Sequence, residues 1–462
     1  MFQPSVYVQR RQRLAQQFAG GLLVFPGNGE VPCNYPANAY PFRQDSSFLY
    51  FFGIDEPGFA GVIDIEAGTS TLYGDDRDVS DIVWMGADIP VREKGEAIGA
   101  DQVLPYNKFS EILQGALQKK REVHLLPQYR AELVLMLADI FQTTPAALKQ
   151  LYSIPLIKAV TELRSIKEQV EIVEIEKALL ISYAMLRSAV SAIKPGVTER
   201  EIAGILHGVA HGTGSGFSFH PICSVRGETL HNHRHGNIMK DGDLRVIDSG
   251  AESLLHYASD ITGTYPVSCS FEGLQKDLYT LVLTSQLAAI DKISPKTSYR
   301  EVHLHAATVI ADGLIRLGFM KGNASDAVAA GAHALFFPHG LGHMMGLDVH
   351  DMEGLGENYV GYDDATQRSQ QFGLSYLRLA KSLKPGFVLT VEPGIYFIPE
   401  LIRQWSAEKR CAEFIQYEKV ASMIGFGGIR IEDDVLVTDS GCRVLGCPIP
   451  KFTDEIEALM KG

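Results

Sequence analysis

Five residues constrain this chain most: Asp248, Asp260, His343, Glu392 and Glu432, each a potential metal ligand inside a segment patterned as strand or turn. The segments are VIDSGA (246–251), ASDITGTYPV (258–267), PHGLGHMMGLDVHD (338–351), LTVEPGIYF (389–397) and GGIRIEDDVLV (427–437). Three of them flank an acid with β-branched and apolar residues, as a mostly buried strand does when it admits one charge. A lone acid in a strand is most often a capping or ion-paired residue. Four carboxylates gathered together behave differently, because repulsion and lost hydration raise their pKa values until they take up protons. One divalent ion neutralises half of that charge and two balance it. A hydroxide held between two such ions is a strong nucleophile near neutral pH, so the pattern predicts a two-metal hydrolase.

A helical zinc site is a poor alternative. His339 and His343 have the i, i+4 spacing, but HGLGH lacks the glutamate after the first histidine and holds two glycines unsuited to a helix. Arg430, two residues before Glu432, falls on the same strand face and is placed to orient that carboxylate through a bidentate pair. The oxygen-rich donor set, with one nitrogen, suits Mn²⁺ better than Zn²⁺, with Co²⁺ or Zn²⁺ as substitutes.

The order Asp, Asp, His, Glu, Glu, with ASDITGTYPV, HGLGHMMGLDVHD, TVEPGIYF and GIRIEDD around the ligands, resembles the pita-bread metallopeptidases: methionine aminopeptidase, aminopeptidase P and prolidase. AYPFRQDSSFLYFFGIDEPG (39–58) and DIVWMGADIP around Trp84 resemble the amino-terminal domain shared by aminopeptidase P and eukaryotic-type prolidases, which methionine aminopeptidases lack. The likeness covers nearly the whole chain. It implies an α/β (α+β) protein with an amino-terminal α/β domain over residues 1–160 and a pita-bread catalytic domain over 161–462. The implied activity is metal-dependent Xaa-Pro hydrolysis on proline-containing di- or oligopeptides, prolidase-like, with an aminopeptidase P acting on longer peptides as the alternative. By the same resemblance Asp260 and Glu432 bridge two ions, Asp248 binds one, His343 and Glu392 bind the other, and Glu392 moves the proton between nucleophile and leaving amine. His231, His339 and His350 fall where the family keeps its substrate histidines, and Arg378 in LSYLRLAKSLKPG falls where a prolidase arginine holds the dipeptide carboxylate. A homodimer is also implied.

The chain departs from the family in three places. Asp248 and Asp260 stand twelve apart, one more than usual, which predicts a longer hairpin; ICSVRGETLHNH is shorter than its usual glycine-rich counterpart; and Phe219 replaces a common tyrosine. These leave the metal ligands intact and bear on substrate contacts. Two rival readings are a metal-free creatinase-type hydrolase and a non-catalytic binding module on the same fold. Both usually abandon the acid ligands, and here all five stand.

Composition narrows the class further. At 462 residues about two domains are expected. Apolar content of 46% against 21% charged is that of a globular protein with ample core material. Asp plus Glu exceed Lys plus Arg by 55 to 42, which argues against nucleic acid or an anionic membrane as partner. The six cysteines form no CxxC pair, and MFQPSVYVQRRQRL carries charge without an apolar core, so a cytoplasmic location with reduced thiols is expected.

Local patterns predict a hairpin turning at EAGTS (66–70), a helix from near Glu162 burying Ile166, Val170 and Val173, and a helix opened by a Thr198–Glu201 capping box. A further amphipathic helix carries Leu274, Leu278 and Leu281. HGTGSGF (211–217) follows a helix rather than a strand, so it is read as a linker and not a phosphate loop. His233 and His235 are read as solvated.

Overall fold

The computed structural model describes residues 1–461, which form two compact units. The first comprises Met1–Arg164 with the short segment Gly354–Tyr359, and the second comprises Ser165–Glu353 and the chain from Val360 onward.

The first unit is built on a mixed sheet of β1 (Leu22–Pro26), β2 (Ala60–Asp64), β3 (Thr69–Tyr73), β4 (Gln102–Leu104) and β5 (Val123–Leu125), in the order β4-β3-β2-β1-β5. β2 and β3 pair antiparallel with Asp64 opposite Thr69, so the expected hairpin does turn at EAGTS. β5 joins β1 in parallel, which requires the intervening chain to cross over as helices. Leu22, Val24, Val62 and Tyr73 from the sheet meet Phe109 and Leu113 from one of those helices, and Leu137 and Ile140 from the helix Ala131–Ile140 that follows β5, in one buried cluster.

The second unit repeats one arrangement twice, a helix pair followed by an antiparallel ladder. Helices α1 (Gln169–Val190) and α2 (Glu199–Thr213) pack together and precede β6 (Ile222–Ser224), β7 (Leu244–Ser249) and β8 (Ile261–Pro266), paired in the order β8-β7-β6. Helices α3 (Leu274–Lys292) and α4 (Tyr299–Arg316) pack together and precede β9 (Val388–Val391), β10 (Gly394–Tyr396), β11 (Gly428–Arg430), β12 (Asp433–Val437) and β13 (Cys442–Val444). Of these, β9, β12 and β13 form one sheet and β10 pairs with β11. Nearly every residue of β7, β8, β9 and β12 is buried, so any acid on them sits inside protein.

The Thr198–Glu201 capping box opens α2, and Leu278 and Leu281 face the core from α3, as expected. The helix expected from Glu162 does not form. One helix closes at Ser165, and α1 opens at Gln169 behind a box made by Glu168 and Glu171. Ile166, Val170 and Val173 are exposed, whereas Ile172, Ile175 and Leu179 are buried. VEIVEIEKALL has apolar residues on two faces, so spacing alone supports either face and packing decides. HGTGSGF, read as a linker, is one only in its middle: His211–Thr213 close α2, and Gly214 and Ser215 lead into the two-residue strand Gly216–Phe217. All six cysteines are free, and no single helix among the described residues is long and apolar enough to cross a membrane.

Candidate metal centre

Strand pairing delivers the acids. β7 carries Asp248 opposite Thr262 of β8, and Asp260 lies one residue before β8 begins. The chain between them closes tightly: a Cβ on Gly250 would lie 1.7 Å from the Ser259 carbonyl, so only glycine fits there. Within this hairpin His256 adopts φ 63°, its Nδ1 2.5 Å from Glu252 Oε2. Glu432 lies between β11 and β12, its N–H donating to the Thr262 carbonyl at 3.0 Å, which sets it beside Asp260.

His343 comes from an extended segment rather than a helix. Thr390 N–H donates to the His343 carbonyl at 3.0 Å and Glu392 N–H to the Leu341 carbonyl at 2.8 Å, so the segment runs along β9 and faces Glu392. A Cβ on Gly342 would meet the Thr390 carbonyl at 2.1 Å, which explains the second glycine of HGLGH. The His343 Nδ1 lies 3.0 Å from the Met344 carbonyl, a geometry that assigns the proton to Nδ1 and leaves the Nε2 lone pair for a ligand.

One cavity of about 370 Å³ in the second unit is lined by all ten residues singled out in the sequence: Asp248, Asp260, His343, Glu392, Glu432, His231, His339, His350, Arg378 and Arg430. Ligand atoms of Asp260, His343 and Glu432 lie within 4.8 Å of one another. His343 Nε2 is 3.4 Å from Asp260 Oδ2 and 3.8 Å from Glu392 Oε1. Asp248 is turned toward Arg430, whose Nη2 donates to its Oδ2 at 2.5 Å.

The centre carries more negative charge than its protein neighbours balance. Burial, then the charge of Asp248, pushes Asp260 well above the usual carboxylate range. Burial, then Asp260, Glu392 and Asp248, does the same to Glu432. Glu392 is raised to about 7, chiefly by burial, with His343 and Arg430 opposing. Asp260 Oδ1 and Glu432 Oε1 are buried with no hydrogen-bond partner, although buried carboxylate oxygens are almost always satisfied. Orphaned oxygens, raised pKa values and a free imidazole lone pair fit a divalent cation centre.

A family model for Metallopeptidase family M24 matches residues 173–439, and one for Aminopeptidase P, N-terminal domain, matches residues 7–125. The chain belongs to metallopeptidase family M24. It is 32% identical to the Xaa-Pro dipeptidase of Homo sapiens over 99% of this chain and 94% of that protein. It is 30% identical to the Xaa-Pro aminopeptidase of Escherichia coli over 98% and 97%. Its fold superposes on aminopeptidase PepP of Pseudomonas aeruginosa with a TM-score of 0.82 at 29% identity, covering 100% of this chain and 98% of that one. This chain is therefore a metal-dependent peptidase with the expected mixed α/β fold.

Around the centre of this M24 enzyme, three side chains absent from the sequence reading take part. Tyr396 Oη accepts from Arg430 Nη1 at 2.8 Å and lies 2.9 Å from His339 Nε2. His339 Nδ1 lies 2.7 Å from the Gly340 carbonyl, so that nitrogen carries the proton and Nε2 accepts from the tyrosine. Thr262 Oγ1 donates to Glu432 Oε2 at 2.6 Å. Asp434, fully buried, accepts the Asp260 N–H at 3.1 Å and is itself pushed up by burial and by Asp260. Tyr396 shares an alternating strand pattern with Gly394, and EDD in an apolar strand signals more than one buried acid.

Arg430 differs from its expected role. It reaches Asp248 and Tyr396 rather than Glu432, because β11 lies across β7 and β8 and carries its guanidinium over the first aspartate. His339 is lowered to about 3, first by burial and then by Arg430, and His350 is lowered by burial and by His343. His231 sits at the exposed rim and is lowered by burial and by Arg430. Arg378 bonds Glu353, whose Oε2 is also 3.5 Å from His350 Nδ1. Phe219 lines the same cavity.

Proposed function

We propose that this M24 enzyme hydrolyses the bond between an amino-terminal residue and proline, chiefly in dipeptides, with Asp248, Asp260, His343, Glu392 and Glu432 holding two divalent ions, Mn²⁺ in the cell. The observation that carries this reading is the unmatched Asp260–His343–Glu432 cluster at the floor of a cavity that also holds Arg378. Held by these five residues, the ions would supply Lewis acidity to the scissile carbonyl and to an attacking water. Glu392, poised at about 7, accepts that water's proton and returns it to the leaving nitrogen. The proline nitrogen has no N–H of its own before cleavage, so the returned proton is what releases it. His339, neutral and fixed by Tyr396, His350 and His231 contact the substrate carbonyl and backbone. Arg378, with Glu353 positioning it, takes the dipeptide carboxylate by charge-assisted bonds.

Residues 1–160 act as the amino-terminal domain and 161–462 as the catalytic domain of a cytoplasmic homodimer. Val79, Val83, Trp84 and Met85 expose an apolar helix face that a second copy of the chain would cover, and light scattering reads the resulting mass. Hydrolysis of longer peptides is the second reading, favoured by the likeness to aminopeptidase PepP. With Mn²⁺-loaded enzyme, amino acid release from Ala-Pro beside Ala-Pro-Ala-Ala separates the two. Faster release from the dipeptide supports the prolidase role and that of Arg378, faster release from the tetrapeptide supports the second reading, and release from neither contradicts both and returns the chain to a binding module.

A further inference from the structure

The cavity rim carries a second group of donors that the hydrolysis does not use. The rings of His220 and His233 meet edge-on with centroids 4.7 Å apart, and those of His220 and His235 are stacked at 5.8 Å. The nitrogens of the three rings do not converge as they stand; His220 and His233 are exposed and line the cavity, and rotation between staggered wells would turn theirs toward a shared ion. His235 is already fixed: its Nε2 lies 3.1 Å from the Pro221 carbonyl, which leaves the Nδ1 lone pair free. A backbone carbonyl on one ring nitrogen is the usual way a metal-binding histidine is held in its tautomer. Burial also lowers His235 from the ordinary imidazole value, which keeps it neutral and able to ligate at neutral pH.

We propose that His220, His233 and His235 hold one transition-metal ion of the Zn²⁺, Ni²⁺ or Cu²⁺ class at the cavity rim, separate from the carboxylate centre, and that an ion there obstructs peptide entry. Three imidazoles and a water are a donor set that such ions take readily, whereas Mn²⁺ favours the oxygen-rich centre below. The two sites therefore sort metals by donor chemistry. Obstruction rests on the proposed reading of the cavity as the peptide site; ion binding does not.

The test is calorimetric titration of Mn²⁺-loaded protein with Ni²⁺, followed by metal analysis after desalting. One added ion per chain with Mn²⁺ retained is the expected result. His220→Ala and His235→Ala, each checked for an unchanged melting curve, should weaken that binding by about tenfold or more. A His207→Ala/His211→Ala double variant removes the other close histidine pair, on α2 with rings 4.3 Å apart, and should keep the binding. No added ion, uptake matched by loss of Mn²⁺, or loss of binding in the α2 variant alone would overturn the site. Bound Ni²⁺ should raise the apparent KM for Ala-Pro in the wild type but not in His235→Ala; binding without that rise overturns the obstruction. If no Xaa-Pro peptide is cleaved, only the hydrolytic reading fails, because the titration reads ion binding directly.

Discussion

The two units treat their carboxylates in opposite ways. In the first, cations match them: Lys94 bonds both Glu56 and Asp88, and its bond to Asp88 holds that carboxyl down at about 2. Arg121 forks Asp64 at 2.6 and 2.9 Å and also bonds Glu66. In the second unit, Asp260, Glu432 and Asp434 are more deeply buried and all are pushed upward, while the single arginine among them reaches Asp248. The contrast extends to neighbours in sequence, since Asp433 is met by Lys451 and by Gln286 at 3.0 Å. Matched carboxylates hold the fold together, and unmatched ones retain a cost that a cation relieves.

The largest test of this contrast is Asp260→Asn, which removes one unmatched charge. We expect hydrolysis of Ala-Pro to fall by on the order of 10³ in kcat/KM or more, with an unchanged circular dichroism spectrum. Full activity in a folded variant would abolish the distinction between the two kinds of carboxylate.

A second test uses pH and metal removal. Asp260, Glu392 and Glu432 have folded-state pKa values above the ordinary carboxylate value of about 4, so the folded chain binds protons that the unfolded chain does not. The stability of metal-free protein therefore rises as pH falls from 8 to about 6.5. Below that, the unfolded chain protonates histidines that stay neutral when folded, His124, His231, His235, His303, His333, His339 and His350, which outnumber the raised carboxylates, and stability declines again. Melting temperature against pH should show this maximum without metal. With metal, which keeps the carboxylates ionised, the rise between pH 8 and 6.5 should vanish; an identical rise in both forms would contradict the account.

Smaller effects come next. Tyr396→Phe removes the hydroxyl between Arg430 and His339, and roughly a tenfold loss of kcat with metal content retained is expected. Lys94→Met, in the first unit, leaves Asp88 and Glu56 unmatched and should cost about 1–2 kcal/mol, a few degrees in Tm, with metal content and kcat unaltered. A Lys94→Met protein that lost metal would show that matched and unmatched carboxylates are not separable.

Much of the centre is legible in the sequence because each ligand interrupts a buried strand or a glycine-rich turn, and a charge in such a place demands a reason. What escapes are partners set by pairing between distant strands. Alternation along one strand points Arg430 at Glu432, but the packing of β11 across β7 decides in favour of Asp248. Tyr396 and Thr262 are ordinary strand residues until registry brings them to His339 and Glu432. Ile166, Val170 and Val173 fail for a related reason: a helix with apolar residues on two faces does not say which face is covered. The capping box at Thr198 and the turn at EAGTS depend on residues within a few positions, and both form as expected.

The most direct measurement is the count of Mn²⁺ bound per chain after equilibrium dialysis, in the wild type and in Asp260→Asn. Two ions in the wild type and at most one in the variant are expected, since four carboxylates and one imidazole balance two divalent charges and three carboxylates do not. Fewer than two in the wild type, or two in both proteins, would contradict the claim that these unmatched carboxylates form a dinuclear centre.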